Sequence, residues 1–198
     1  IARPEGVIVI AGGKLTTYRR MAKEAVDKAV AWLTEHDDHD RFEKVPRCTT
    51  KHRPLPGARD LAGDDLAAVA AVGRALMQSH GLDGEVATHL CGVYGARAPQ
   101  LAALIAADAT LGTRLVPDLP YVWAEVEFAV ATDHARTVDD VLARRVPLLL
   151  VDRDQGLGVI DDVAARLAAR LGWDDATRAT QVEAYRVEVA ASRRFRDT

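Results

Sequence analysis

The chain has 198 residues, 48% of them hydrophobic, which is enough for one good core or a core with an appendage. Its net charge of −3 supplies no basic field to recommend nucleic acid as a partner. Cys48 and Cys91, the two cysteines, are too few for a disulfide framework or a thiolate metal site, and read as buried thiols in a reducing cytosol.

In chain order, residues 7–11 (VIVIA) are β-branched and apolar throughout, the pattern of a strand covered on both faces. Gly12, Gly13 and Lys14 make a turn, and Tyr18, Met21, Ala22, Ala25, Ala29 and Leu33 then recur at helical spacing as far as His36. Residues 37–63 carry prolines and glycines amid charge and read as a linker or irregular connection.

Beyond it everything is predicted helical. Asp64 or Asp65 caps a helix with Leu66, Val69, Val72, Leu76 and Met77 on one side, stopped by Gly81. Further helices are expected over 84–94 and 99–109, with a loop over 111–120 and a helix over 121–133. Another begins at Thr137, a Thr N-cap with acid in its first turn, and is kinked or stopped at Pro147. Leu157, Ile160, Ala164, Leu167 and Leu171 form one stripe before Gly172, and a last helix covers 174–195 with Val182, Tyr185 and Val189 inward.

No apolar run approaches the ~18 residues that span a bilayer, and residues 1–15 lack the pattern of a signal peptide, so a soluble chain is expected. A single strand that wants burial on both faces needs a sheet elsewhere. The chain is therefore read as the C-terminal piece of a longer protein: residues 1–36 are the last strand–turn–helix of an α/β domain, 37–63 a linker, and 64–198 an α-helical domain. The fold class is mostly α.

The turn at 12–14 carries the chemistry. A strand entering a helix through two glycines exposes backbone N–H groups at the positive end of the helix dipole, a site for an anion or an electron-rich carbonyl. Thr16 and Thr17 add hydroxyls, and Lys14 adds a full charge. It is not a P-loop, because Ile8 and Leu15 stand where that motif needs Gly and Ser or Thr. An ordinary β–α turn, with glycines serving geometry alone, is the competing reading.

The string GGKLTTYRRMAKEAVD at 12–27 resembles the end of the flavin domain in FAD-dependent glycerol-3-phosphate dehydrogenases. YGARA at 94–98 and EVEFAVATDHARTVDDVLARR at 125–145 resemble that family's helical C-terminal domain. Asp133-His134 departs from a glutamate-containing pair there, and Pro147 interrupts a helix usually free of proline. The resemblance implies a quinone-linked enzyme that oxidises sn-glycerol 3-phosphate to dihydroxyacetone phosphate with FAD. It also implies N-terminal flavin and substrate domains in the same chain, and cytoplasmic placement with peripheral membrane contact.

It further implies a flavin site at Gly12, Gly13, Lys14, Leu15, Thr16 and Thr17, with the amides of residues 15–17 as donors. Lys14 is the catalytic candidate, toward the flavin or a substrate oxygen. A fragment of this extent is expected not to turn over by itself. A non-enzymatic helical ligand-binding or protein-interaction domain, and an oxygen-using oxidase of the same kind, are the alternatives.

Other clusters read more blandly. His36, Asp37, Asp38, His39 and Asp40 have metal-ligand residue types but sit at a helix end, where solvated polar runs are common. Arg136, Arg144 and Arg145 suit phosphate or a neighbouring helix. Arg193, Arg194 and Arg196 suit a helix C-terminus. Trp32, Trp123 and Trp173 suit core or domain-interface anchoring.

Overall fold

A computed structural model describes residues 7–36, 41–42, 44–61 and 66–196. The chain divides into two units, 1–55 and 56–198. Among the described residues there is no strand, only isolated bridge residues, so the strand expected over 7–11 is not formed as an element. Val7, Val9 and Ile10 are all about half exposed. The physical reason is the one that made the strand conspicuous: five apolar residues cannot form a ladder without neighbouring strands.

In the first unit, a short 3₁₀ turn, Leu15–Thr17, leads into α1, Tyr18–His36. Met21, Ala25, Ala29 and Leu33 are half-buried along one side, while Tyr18 and Ala22 are exposed, and no residue of α1 is fully buried. Trp32 anchors no core; its ring stacks on His36 at 4.3 Å. Cys48 is exposed, against the expectation of two buried thiols; Cys91 is buried.

The second unit is helical. It contains α2 (Leu66–His80), α3 (Gly84–Tyr94), α4 (Ala98–Ala107), α5 (Trp123–Ala131), a π-helical segment (Asp140–Arg145), α6 (Leu148–Val151), α7 (Ile160–Leu171) and α8 (Asp175–Arg193). The Asp64 or Asp65 cap lies outside the described residues. Leu66, read as part of the buried stripe of α2, is 86% exposed, and burial starts only further along the helix, at Gly73 and Leu76. Asp83 caps α3 by accepting from the Glu85 and Val86 amides at 3.0 and 3.2 Å.

Two hydrophobic clusters share α5. One gathers α2, α3 and α4 around Leu90, Leu101 and Phe128; the other gathers α7 and α8 around Leu142, Leu167 and Tyr185. Ala124 and Phe128 face the first cluster, Val126 and Ala129 the second. A helix packed on several sides loses the one-faced pattern of a surface helix, which is why the apolar residues of WAEVEFAVA fall on every face, with Glu125 and Glu127 buried among them.

The segment read as a fifth helix is wound as a π-helix. Thr137 and Asp140 close its start reciprocally: the Asp140 amide donates to Thr137 Oγ1 at 2.9 Å, and the Thr137 amide to Asp140 Oδ2 at 3.1 Å. It ends at Arg145, two residues before Pro147, whose ring and missing N–H forbid continuation. Gly172, in the left-handed region at φ 72°, stops α7 as expected.

The run 84–107 is apolar and long enough by composition to cross a membrane. It is broken at Gly95–Arg97, and Leu90 and Leu101 within it are core residues. Gly95 has φ 56°, and a Cβ there would lie 2.1 Å from the Gly57 carbonyl oxygen, so this break admits only glycine.

Candidate functional site

In the first unit, Gly12 and Gly13 both take positive φ, 76° and 104°. At Gly13 a Cβ would fall 2.2 Å from Met21 Sδ, so the bare backbone lets α1 close against its own entry turn. Lys14 precedes the 3₁₀ turn in extended conformation, and its ammonium has no ion-pair partner among the described residues. The Thr17 amide and hydroxyl both donate to the Lys14 carbonyl, at 2.9 and 2.8 Å. Thr17 therefore closes the turn on itself.

Leu15 is 87% exposed, and Gly12, Gly13, Lys14 and Thr16 are exposed beside it. The result is an open corner with the Leu15 and Thr16 amides at the head of a long helix and one unpaired cation alongside. That donor set fits an electron-rich planar ring: hydrogen-bond donors, a positive dipole end, and glycines that let a flat group approach. His36 gives its ring to the Trp32 carbonyl at 2.8 Å, and Asp37, Asp38, His39 and Asp40 lie outside the described residues.

In the second unit the two strings singled out in the sequence, 94–98 and 125–145, meet. Glu125 is fully buried, and a charge without water must be paired or multiply hydrogen-bonded. Its Oε2 accepts from the Val122 amide at 2.8 Å, which caps α5. Its Oε1 is 2.8 Å from His89 Nε2 and accepts from the Tyr94 hydroxyl at 3.2 Å. Burial, reinforced by the Glu125 carboxylate, pushes the Tyr94 phenol far above its ordinary range, so it stays a donor.

Arg97 donates to Asp133 at 3.1 Å and lies over the Phe128 ring at 4.6 Å, with Tyr94 edge-on to the same ring. Arg145 donates to the Asp133 carbonyl at 3.2 Å. Arg144 pairs instead with Asp139 and Asp140, next to it in its own segment. A cleft of about 280 Å³ lies among Tyr94, Arg97, Asp133, Arg144 and Arg145.

Glu127, two residues on, is 6% exposed and accepts from Arg166 at 2.8 Å and Arg170 at 2.7 Å, both on α7. Arg193 donates to the Gln155 side chain, a firmer partner than the helix dipole expected for it, and the Arg196 side chain lies outside the described residues. Trp123 and Trp173 are half-buried against the core, as expected of anchors.

Residues 48–178 match the protein family described as the C-terminal domain of alpha-glycerophosphate oxidase, a span holding both buried glutamates and all their partners. This chain belongs to that family. Among its relatives is the glycerol-3-phosphate dehydrogenase of Synechocystis, 33% identical over 179 residues, which are 90% of this chain and 30% of the relative. The probable mitochondrial glycerol-3-phosphate dehydrogenase of Caenorhabditis elegans is 35% identical over 182 residues, 90% of this chain and 23% of the relative. The human mitochondrial glycerol-3-phosphate dehydrogenase is 30% identical over 185 residues, 91% and 23% respectively. The chain thus spans under a third of the curated relatives it matches.

His89, Arg97, Glu125, Glu127, Arg166 and Arg170 were not among the residues chosen from sequence. One signal was available: two glutamates inside an apolar string, AEVEFAVA, announce buried acids that must find donors elsewhere. Nothing in the spacing names those donors, because His89 and Glu125 are 36 residues apart and Glu127 and Arg170 are 43 apart.

Proposed function

We propose that this chain is part of a longer FAD-dependent enzyme that oxidises sn-glycerol 3-phosphate to dihydroxyacetone phosphate and passes the electrons to quinone. The observation that carries this reading is the match of about nine-tenths of the chain to proteins named glycerol-3-phosphate dehydrogenase. When bound, FAD supplies a two-electron acceptor for the secondary alcohol carbon.

The residues of this chain then have distinct roles. The Leu15 and Thr16 amides would hold the electron-rich carbonyl edge of the ring as fixed hydrogen-bond donors. Thr17 closes the turn on the Lys14 carbonyl, so its own amide is spent there and the donors are those of Leu15 and Thr16. Gly12 and Gly13 keep the approach clear, and Lys14 offers its cation to the ring edge or a substrate oxygen. The flavin and substrate domains that precede this segment complete the site, so the chain by itself is inactive. The enzyme works in the cytoplasm, with peripheral contact at the membrane where quinone resides.

Oxygen as the acceptor is the second reading, favoured by the oxidase in the family's description.

The test uses the enzyme that contains this chain. Anaerobic sn-glycerol 3-phosphate should bleach its flavin, and Lys14→Ala should slow that bleaching by about tenfold or more, the worth of one charge-assisted hydrogen bond. Absence of bleaching in the parent refutes the proposed activity, and unchanged kinetics in the variant remove Lys14 from the site. Stopped-flow reoxidation by quinone against oxygen separates the two acceptors.

A further inference from the structure

A second cavity, of about 550 Å³, opens between α4, α5 and α7. That volume falls in the range of small-molecule clefts, roughly 300–1,000 Å³. Leu104, Phe128, Val130 and Leu171 form its apolar wall, and Arg136 and Arg170 stand in its lining. Glu127 is the one acid among the described lining residues, and it is already saturated: Arg166 takes one oxygen and Arg170 the other.

The charge count is therefore unbalanced. One buried carboxylate faces two guanidinium groups, and Arg136 adds a third whose side chain makes no hydrogen bond or ion pair among the described residues. Arg170 reaches Glu127 through Nε alone, so its two Nη groups remain as donors without acceptors among those residues. The Arg136 and Arg170 side chains are both exposed, Arg170 at 60%, so water solvates their free N–H groups. An anion lying against the apolar wall would replace that water, since a carboxylate can accept two parallel bonds from a guanidinium fork.

We infer that this cavity binds a small carboxylate with an apolar body, the head held by Arg136 and Arg170 and the body against Leu104, Phe128 and Leu171. The site lies in the helical unit, and the inference does not depend on the proposed oxidation of glycerol 3-phosphate.

The experiment titrates octanoate into the 198-residue chain by calorimetry, with octanol as the same body without the charge. Saturable binding of octanoate with a stoichiometry near one is expected, with octanol at least tenfold weaker. Arg136→Gln, at an exposed position, should weaken octanoate about tenfold. Ala131→Trp, which fills the mouth from an exposed helix position, should abolish binding without changing helical content by circular dichroism. The proposal is overturned if octanoate fails to saturate, if octanol binds as well, or if Arg136→Gln leaves the affinity unchanged.

Discussion

Replacing Glu125 by leucine tests whether the buried carboxylate holds α3 and α5 together. The substitution keeps an apolar side chain of similar length but removes the acceptor for three groups: the Val122 amide, His89 Nε2 and the Tyr94 hydroxyl. Val122 is fully buried and Tyr94 nearly so, and the His89 side chain is only 10% exposed, so water cannot readily replace the lost partner. Stranded buried polar groups cost about 1–3 kcal/mol each. Part of that is offset by burying leucine instead of a carboxylate, which leaves a net loss of about 3–5 kcal/mol, a large share of the ~5–15 kcal/mol that holds a domain together.

Glu125→Gln keeps the shape and one acceptor and should lose only about 1–2 kcal/mol. Urea unfolding followed by tryptophan fluorescence, with Trp123 beside the site, gives both values by linear extrapolation. A Tyr94→Phe substitution should cost about 1 kcal/mol in the native chain but recover about 1 kcal/mol or more in the Glu125→Leu background, where it removes the stranded hydroxyl. Equal Tyr94→Phe losses in the two backgrounds, or a Glu125→Leu loss below about 1 kcal/mol, would refute the idea that this carboxylate is the shared acceptor.

The caps set an acid limit on stability. Burial raises the Asp140 carboxyl, but the Arg136 amide, the Thr137 donors and the Arg144 charge outweigh it and hold Asp140 below the ordinary carboxylate range; Asp83 and Asp174 are lowered by their own cap bonds. A lowered folded pKa means that the unfolded chain binds protons first. Stability is therefore full above the ordinary Asp value of about 3.9 and declines as pH falls through the depressed range. Melting temperature against pH should show that decline, with a shallower slope in Asp140→Asn; identical slopes would exclude Asp140. The thiols should separate too. Cys48 is exposed and lowered by the Thr50 hydroxyl, whereas burial pushes Cys91 up, so a disulfide reagent should titrate one thiol rapidly in the native chain and the second only on unfolding. Both reacting at one rate would contradict the burial of Cys91.

What could be read in advance followed from local chemistry. Gly172 and Pro147 mark helix ends because backbone conformation and the missing N–H act within a turn of the residue itself. The stripes at 160–171 and 182–189 face a core because helical period alone places them there. The turn at 12–17 was legible for the same reason: two glycines at positive φ lead into a short turn that Thr17 closes on the Lys14 carbonyl, all within six residues. The π-helical winding of Asp140–Arg145 was not legible, since its sequence keeps an ordinary helical pattern. The same is true of Leu66, whose exposure depends on what lies opposite it.

By itself, then, the sequence determined helices, caps, breaks and a chemically distinctive turn, all of them short-range consequences of side-chain shape and backbone freedom. Only the tertiary structure decided which helix is shared by both hydrophobic clusters, which donors satisfy Glu125 and Glu127, and where two arginines stand beside a partly apolar cavity. Those outcomes are set by partners some thirty to forty residues away in the chain. A buried charge dictates that it must be satisfied, but only the packing of whole helices selects the group that satisfies it.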